Sequence, residues 1–137
     1  MPAIKLDNNG IMLEPKVHDG QFVALVIEGH DVRLTVRCVT HDFVELVLHE
    51  VVRMTANELW EGNIVFGFEV ITDLKKVPEE LLGQVFHTGK KAPYAELEVC
   101  CRGKSMFVEM SSSYGAALLA ICHDITYRLI AGLPQCA

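Results

Sequence analysis

The stretch QFVALVIEGHDVRLTVRC, Gln21–Cys38, contains two runs of alternating apolar residues separated by Gly29-His30. Glycine at the first position of a two-residue turn is what a type II′ hairpin prefers. With that turn, six apolar residues pair on one face of a sheet: Ile27, Leu25 and Val23 with Val32, Leu34 and Val36. The turn chemistry and the alternation agree, so the stretch predicts an antiparallel hairpin and makes antiparallel sheet the basis of the fold.

Neighbouring stretches extend this sheet. In IKLDNNGIML, Asn9-Gly10 predicts a tight turn between two short strands. In VTHDF, the three-residue loop Thr40-His41-Asp42 predicts a connection to a further strand. That loop pairs inward-facing residues as follows: Cys38, Val36 and Leu34 with Val44, Leu46 and Leu48. The stretch NIVFGFEVIT has the two-residue period of a strand with one better-buried face. Its alternating sets are Ile64, Phe66, Phe68 and Val70, and Val65, Gly67 and Glu69.

Two stretches have the spacing of helices. VPEELLGQVFHTG has Pro78 in its first turn, two glutamates at the positive end of the helix dipole, and Gly89 as its stop. A second, C-terminal helix is predicted after the serines of MSSSYGAALL and ends near Gly132-Leu133-Pro134. Its apolar stripe comprises Tyr114, Leu118, Ile121, Cys122, Ile125 and Leu129. Because this stripe would close over the sheet, Leu118→Ala or Ile125→Ala is expected to cost about 2 to 5 kcal/mol.

A further hairpin is predicted in AELEVCCRGKSMFVEM, with Arg102-Gly103 as its turn. One face pairs Val99 and Leu97 with Met106 and Val108, and the other carries Glu96, Glu98, Cys100, Ser105 and Glu109. Glu96 then lies across from Glu109, which is mildly unfavourable unless the carboxylates are solvated or joined by a cation. Glu96, Glu98 and Glu109 are therefore candidate binding residues, and a solvated acidic face is the simpler interpretation.

These elements predict an α+β fold: an antiparallel β-meander with a C-terminal helix and a shorter helix packed on one side. A chain of 137 residues has the usual size of one domain, so a single globular domain over residues 1–137 is expected. No apolar run reaches the ~18 residues needed to cross a bilayer. The N-terminus lacks the long apolar stretch of a secretory signal, so a cytoplasmic location is expected.

Charge and cysteine content narrow the classes of partner. The formal net charge is -6 and the 12 Lys and Arg residues are scattered, whereas nucleic acids and anionic membranes need a dense positive stripe. We therefore expect neither of those partners, while a basic protein surface would suit the chain. The 5 cysteines have no C-x-x-C spacing, which predicts reduced thiols. No nucleotide-binding or metalloprotease motif is present, and no cofactor is predicted.

The dipeptide His-Asp occurs four times: His18-Asp19, His30-Asp31, His41-Asp42 and His123-Asp124. The first three fall at predicted reversals, where such residues bond to local backbone and tolerate turn geometry. His123 lies on the predicted C-terminal helix, away from its apolar stripe, with Tyr127 one turn further on and Asp124 near Arg128. An ordinary helix surface is the simpler interpretation. His123 and Tyr127 are nevertheless candidate ligand-binding residues if that face lies in a cleft.

Two further expectations concern contacts. Trp60 is the sole tryptophan, and it is either a core anchor or a candidate binding residue. Ala116, Leu119 and Ile130 share the other side of the predicted C-terminal helix, which makes a helix-mediated homodimer a further hypothesis. No catalytic residue and no metal ligand are assigned.

The run FVELVLHEVVRMTANELWEGNIVFGFEV resembles a pattern in small immunity proteins of bacterial polymorphic-toxin systems. In that pattern a strand ending in an apolar dipeptide leads through a leucine-rich turn to an N-[VI]-[IVL]-F strand. An upstream His-Asp pair, here either His18-Asp19 or His30-Asp31, also fits. The resemblance covers roughly the central third of the chain, and the C-terminal stretch YGAALLAICHDITYRL has no counterpart in it. It implies a non-catalytic domain that binds and blocks a toxin. The acidic balance would suit a basic toxin surface, since complementary charge speeds encounter.

The competing hypothesis is a metal-assisted hydrolase or small-ligand-binding protein that uses His, Asp and Glu side chains. Its candidate groups are His123, Tyr127 and a second histidine such as His49, which falls within a predicted strand rather than a turn. This hypothesis requires the imidazoles and at least one carboxylate to converge in the fold.

Overall fold

The structure, a computed structural model, describes residues 2–57, 63–86, 105–112 and 115–130, with the backbone alone at 115–117. Its strands are β1 (Lys5–Leu6), β2 (Met12–Glu14), β3 (Gln21–Glu28), β4 (Asp31–Arg37), β5 (Phe43–His49), β6 (Arg53–Ala56), β7 (Val65–Ile71), β8 (Met106–Ser112), β9 (Gly115–Cys122) and β10 (Asp124–Ile130). A 3₁₀ turn, Leu74–Lys76, precedes the helix α1 (Glu79–Phe86). The described part is thus built mainly of strands, and none of its helices is long and apolar enough to cross a bilayer.

All the sheets are antiparallel. One four-stranded sheet has the order β10-β5-β4-β3, a second has the order β6-β9-β8-β7, and β1 pairs with β2. The predicted antiparallel α+β class is therefore confirmed in outline. The large core cluster draws residues from both four-stranded sheets, so these two sheets enclose a common interior.

The two sheets are joined where β5 runs into β6 and β9 runs into β10. We call this crossing the bend, and it comprises Glu50–Val52 and His123. The His123 N–H donates to the carbonyl of His49 at 2.9 Å, and the Val52 N–H donates to that of Ile121 at 2.8 Å. The paired strands therefore pass from one sheet to the other together.

A second connection lies at the far side of the interior. The Phe22 N–H donates to the carbonyl of Asn63, and the Val65 N–H donates to that of Gly20, both at 2.8 Å. The start of β3 is thereby attached to the start of β7, and the two sheets meet there as well.

The hairpin of β3 and β4 confirms the predicted turn and most of the predicted register. Gly29 has φ 62°, and Ile27 and Leu25 lie opposite Val32 and Leu34. The third predicted pair is wrong, because a bulge at Val23 sets Phe22 rather than Val23 opposite Val36. A bulge adds one residue to one strand, which moves the following side chain to the other face.

The hairpin of β4 and β5 has the predicted face but a different register. Val36 lies opposite Val44 rather than Leu46, because the connection runs from Cys38 to Asp42 and not from Thr40 to Asp42. The Cys38 N–H donates to the Asp42 carbonyl at 2.8 Å and closes this longer loop. A shift of two residues leaves the same side chains inward, since the strand period is two.

The predicted N-terminal hairpin is also present. Gly10 has φ 83°, and its carbonyl accepts from the Val70 N–H at 2.8 Å. A side chain at this position would collide with the Val70 carbonyl, so glycine is needed for the turn and for the close approach.

The predicted C-terminal helix is wrong, because the segment forms β9 and β10. Leu118, Ala120 and Cys122 face the common interior, while Leu119 and Ile121 face α1. A strand covered on both sides is apolar at every position, and such a run can also be read at helical spacing. The hypothesis of a helix-mediated homodimer loses its basis, since there is no helix in the described part of this segment and Leu119 is buried. Tyr114, the first residue of the predicted apolar stripe, lies outside the described residues.

The shorter helix is confirmed as α1, packed on the outer face of the second sheet. Leu82, Val85 and Phe86 contact Phe107 and Ile121 there. The predicted stop at Gly89 and the Arg102-Gly103 turn lie outside the described residues. The predicted pairing of Glu109 with Glu96 is wrong, because β8 lies between β7 and β9, which place Glu69 and Leu119 opposite Glu109.

Candidate functional site

A cleft of about 330 Å³ opens between the N-terminal hairpin and the outer side of β7 and β8. We call it the β7 cleft. The residues that give it its chemistry are Ile11, His18, Phe66, Glu69, Glu109 and Ser111. It combines apolar side chains with two carboxylates, which is the composition of a site that selects its ligand by both shape and charge.

A bulge in β7 presents an aromatic ring at this cleft. The register with β8 shifts between Val65 and Gly67, and Phe66 is 62% exposed whereas Phe68 is 3% exposed. The simple alternation predicted that these two rings share a face, which is wrong. Gly67 allows a close approach to β8, because a Cβ there would lie 3.1 Å from the Ser111 hydroxyl.

Glu69 and Glu109 lie directly opposite each other on β7 and β8. Burial raises the pKa of Glu109, and the neighbouring Glu69 carboxylate raises it further. In the described part of the chain, neither carboxylate has an ion pair with a lysine or arginine. The carboxylate opposite Glu109 is thus that of Glu69, which the sequence did not indicate, and not that of Glu96 as predicted.

His18 forms one side of the same cleft. Its Nδ1 donates to the Phe66 carbonyl at 2.6 Å, its Nε2 lies 3.5 Å from an oxygen of Asp19, and its ring meets that of Phe66 edge-on at 6.0 Å. Asp19 has φ 63° in a turn, so the predicted turn role of the pair is confirmed. The contact with Phe66 was not predicted, because it joins residues 48 positions apart.

The second cluster of polar side chains lies at the bend. His49 Nε2 is 2.7 Å from the Thr126 hydroxyl, and its Nδ1 is 3.8 Å from Asp31. His123 Nδ1 is 2.6 Å from a carboxylate oxygen of Glu50. The structure therefore brings His49 and His123 into one region, as the hydrolase hypothesis requires. Both rings are held by other side chains.

The backbone of the bend depends on the same cluster. Glu50 has φ 50°, and its N–H donates to Asp31 Oδ1 at 3.0 Å. An L-residue with a left-handed backbone needs such compensation. No three His, Cys, Asp or Glu side chains among the described residues are arranged to hold a metal ion.

The other predicted candidates are dispersed. Tyr127 lies on β10 opposite Leu46 and packs against the core, so it does not form a helical pair with His123. The predicted contact of Asp124 with Arg128 is also replaced, since Arg128 Nε donates to Glu45 at 2.9 Å. Trp60, Glu96 and Glu98 lie outside the described residues.

The two described cysteines, Cys38 and Cys122, are free and buried. Burial raises the pKa of both thiols, that of Cys122 to about 12, and the nearby Asp42 and Asp124 carboxylates add to the effect. The raised pKa of both thiols favours their protonated form and so disfavours a nucleophilic role.

The chain matches no protein-family model, no curated protein and no solved structure.

Proposed function

We propose that this chain is a small non-catalytic protein-binding domain whose β7 cleft receives a basic side chain of its partner. The observation that carries the proposal is the Glu69–Glu109 pair, in which two carboxylates face each other across β7 and β8. A lysine or arginine placed between them would replace a repulsion by two attractions. The gain would be larger than on an open surface because the pair is partly removed from water.

The apolar residues of the cleft support the same ligand. Phe66 and Ile11 are 62% and 47% exposed beside the two carboxylates. Lysine and arginine have long apolar stems, so such a side chain can lie along these residues while its charged end reaches the glutamates. The Phe66 ring also offers a face for a cation, an interaction of roughly 0.5–2 kcal/mol.

In its most concrete form, the proposal is that the partner is a bacterial toxin that the chain neutralises. This form rests on the resemblance of the central sequence to immunity proteins. The net charge of -6 supports it, because an acidic surface steers encounter with a basic one. The hydrolase hypothesis has less support, since the side chains of His49 and His123 contact Thr126 and Glu50.

The test is to titrate the chain with the purified product of the neighbouring gene and to measure the dissociation constant. We expect a complex whose affinity falls about tenfold or more in a Glu69→Gln/Glu109→Gln variant, because the charges that hold the basic side chain are removed. Increasing the salt concentration should weaken wild-type binding more than binding of the variant.

The control is Glu80→Gln, which makes the same Glu→Gln change at one exposed position in the first turn of α1 and so reports the effect of losing a single distant negative charge. This variant should bind as the wild type does. If the wild type forms no complex, the immunity form is wrong. If a complex forms but the double variant binds as tightly as Glu80→Gln does, the β7 cleft is not the contact site.

A further inference from the structure

The edges of the two sheets are protected to different degrees. At β10, Ala3 bridges to Thr126, and the Tyr127 N–H donates to the Pro2 carbonyl at 3.1 Å. At β7, the backbone of Gly10–Ile11 covers Glu69–Val70 near the end of the strand, and that of Asp19–Phe22 covers its start. Proteins commonly cover or blunt strand edges in these ways, since open edges pair with other chains.

The two remaining edges are β6 and β3. Strand β6 has only 4 residues and carries Arg53, which are both features that discourage pairing. Strand β3 has 8 residues, and from Ala24 to Glu28 it pairs only with β4 within the described part of the chain. It contains no lysine, arginine or proline, and its one charge, on Glu28, is matched by an ion pair with Arg33.

The free backbone groups of this edge can be assigned from the turn. A two-residue turn makes the residues that flank it, Glu28 and Asp31, a hydrogen-bonded pair. Pairs alternate along an antiparallel ladder, so Val26 also bonds to β4, whereas Leu25 and Ile27 direct their N–H and C=O groups away from it. Val26 and Ile27 are 44% and 62% exposed at this edge.

We infer that the Ala24–Glu28 edge of β3 pairs antiparallel with the same edge of a second copy, with Val26 opposite Val26 of that copy. In this register Leu25 of each copy lies opposite Ile27 of the other. The two N–H groups and two carbonyls that each copy offers at this edge are then all hydrogen-bonded. Each Glu28 lies opposite Ala24, so the two carboxylates stay apart. A sequence that is apolar on both sides of Val26 is complementary to itself in this arrangement.

A two-fold pairing of this kind gives a closed dimer, to which no third copy can add through the same edge. Each copy offers one such edge in its described part, since the opposite edge of the same sheet is covered by Pro2 and Ala3. An isologous contact with one edge per copy ends at a dimer and forms no filament. The pairing extends the four-stranded sheet across the two-fold axis.

The test is a charge swap at Val26, measured by sedimentation velocity over a range of protein concentrations. We expect the wild type to form a species of twice the chain mass as the concentration rises. Val26→Lys and Val26→Glu should each dimerise at least about fivefold more weakly, because like charges then lie opposite each other. An equimolar mixture of the two variants should dimerise again, and merely damaged folds would not show that rescue.

Val39→Lys is the control, since Val39 is 62% exposed in the turn after β4 and lies away from the β3 edge. It should dimerise as the wild type does. A wild type that stays monomeric at all concentrations would overturn the inference and leave the edge to a different partner. A mixture of the Lys and Glu variants that remains monomeric would overturn the two-fold register.

Discussion

The β7 cleft and the bend both gather histidine and carboxylate side chains from distant parts of the chain, yet they treat these groups in opposite ways. At the bend, His123 is 2.6 Å from Glu50, and His49 bonds to Thr126. In the cleft, Glu69 and Glu109 face each other, and an aromatic ring is exposed beside them. Both histidines of the bend thus have side-chain partners, whereas within the described ranges the two glutamates of the cleft have no ion pair with a lysine or arginine.

This difference separates a structural role from a binding role. A satisfied cluster stabilises the backbone around it, and here it holds the residue Glu50 in a left-handed conformation at the crossing of two sheets. A cluster of like charges lowers stability, and a ligand of opposite charge can reverse that effect. Changes at the bend should therefore alter folding, whereas changes in the cleft should alter binding and leave folding intact or improved.

The largest effect is expected for the core beside the bend. Ile125 is 1% exposed on β10, two residues after His123, and Ile125→Ala should lower the free energy of unfolding by about 2–5 kcal/mol because it leaves a cavity. The measurement is chemical denaturation. Leu129→Ala on the same strand is the control, since Leu129 is 68% exposed and should lose little. Equal losses at the two positions would contradict the strand assignment of this segment.

A smaller effect is expected for the histidines of the bend. His49→Ala removes the bond to Thr126, and His123→Ala removes the contact with Glu50, so each should lower the free energy of unfolding by roughly 0.5–1.5 kcal/mol. His30→Ala, at an exposed turn position, should change it less. Partner affinity should be unchanged in both bend variants. A folded His123→Ala protein that no longer binds its partner would assign the bend a binding role.

Local chemistry was sufficient to predict the hairpins but not their irregularities. Gly29-His30 and Asn9-Gly10 each determine a turn within a few residues, so the sequence alone indicates both. The bulges at Val23 and between Val65 and Gly67 depend on how the two sheets meet at Gly20–Phe22 and Asn63–Val65. Such contacts join residues far apart in the chain, and no local pattern encodes them.

The C-terminal segment shows why a periodic pattern can mislead. From Leu118 to Cys122 every side chain is buried, because β9 lies between the common core and α1. A pattern that is apolar at every position satisfies helical spacing as well as strand spacing. The outward-facing residues of β9 are apolar because α1 packs on them. That contact is tertiary, so the local sequence does not reveal it.

The candidate site was predictable only in part, for the same reason. Glu109 was correctly placed in an alternating strand, but its predicted partner Glu96 was wrong, because β7 and β9 occupy both sides of β8. The partner Glu69 depends on the pairing of β7 with β8, and the exposure of Phe66 depends on a bulge. His18 was correctly placed in a turn, but its role at the cleft required the fold.

The smallest effect, and the most direct test of the contrast between the two regions, is expected for Glu109→Gln. Cross-strand like charges are unfavourable by roughly 0.2–1 kcal/mol, so removing one should raise the free energy of unfolding by that amount at neutral pH. The same substitution should weaken partner binding. A stabilising change that impairs binding is the behaviour expected of a binding site and not of a structural cluster.

The pH dependence of the stability gained by Glu109→Gln identifies its cause. Because burial and Glu69 raise the pKa of Glu109 in the folded state, wild-type stability is lost as the pH rises through that raised pKa, while the glutamine variant has no proton to lose. The advantage of Glu109→Gln should therefore be absent in acid, where both side chains are neutral, and appear as the pH increases towards neutrality. Denaturation of both proteins across this range measures it. An advantage that is independent of pH would mean that the two glutamates do not oppose each other, and it would remove the electrostatic reason for a basic partner in the β7 cleft.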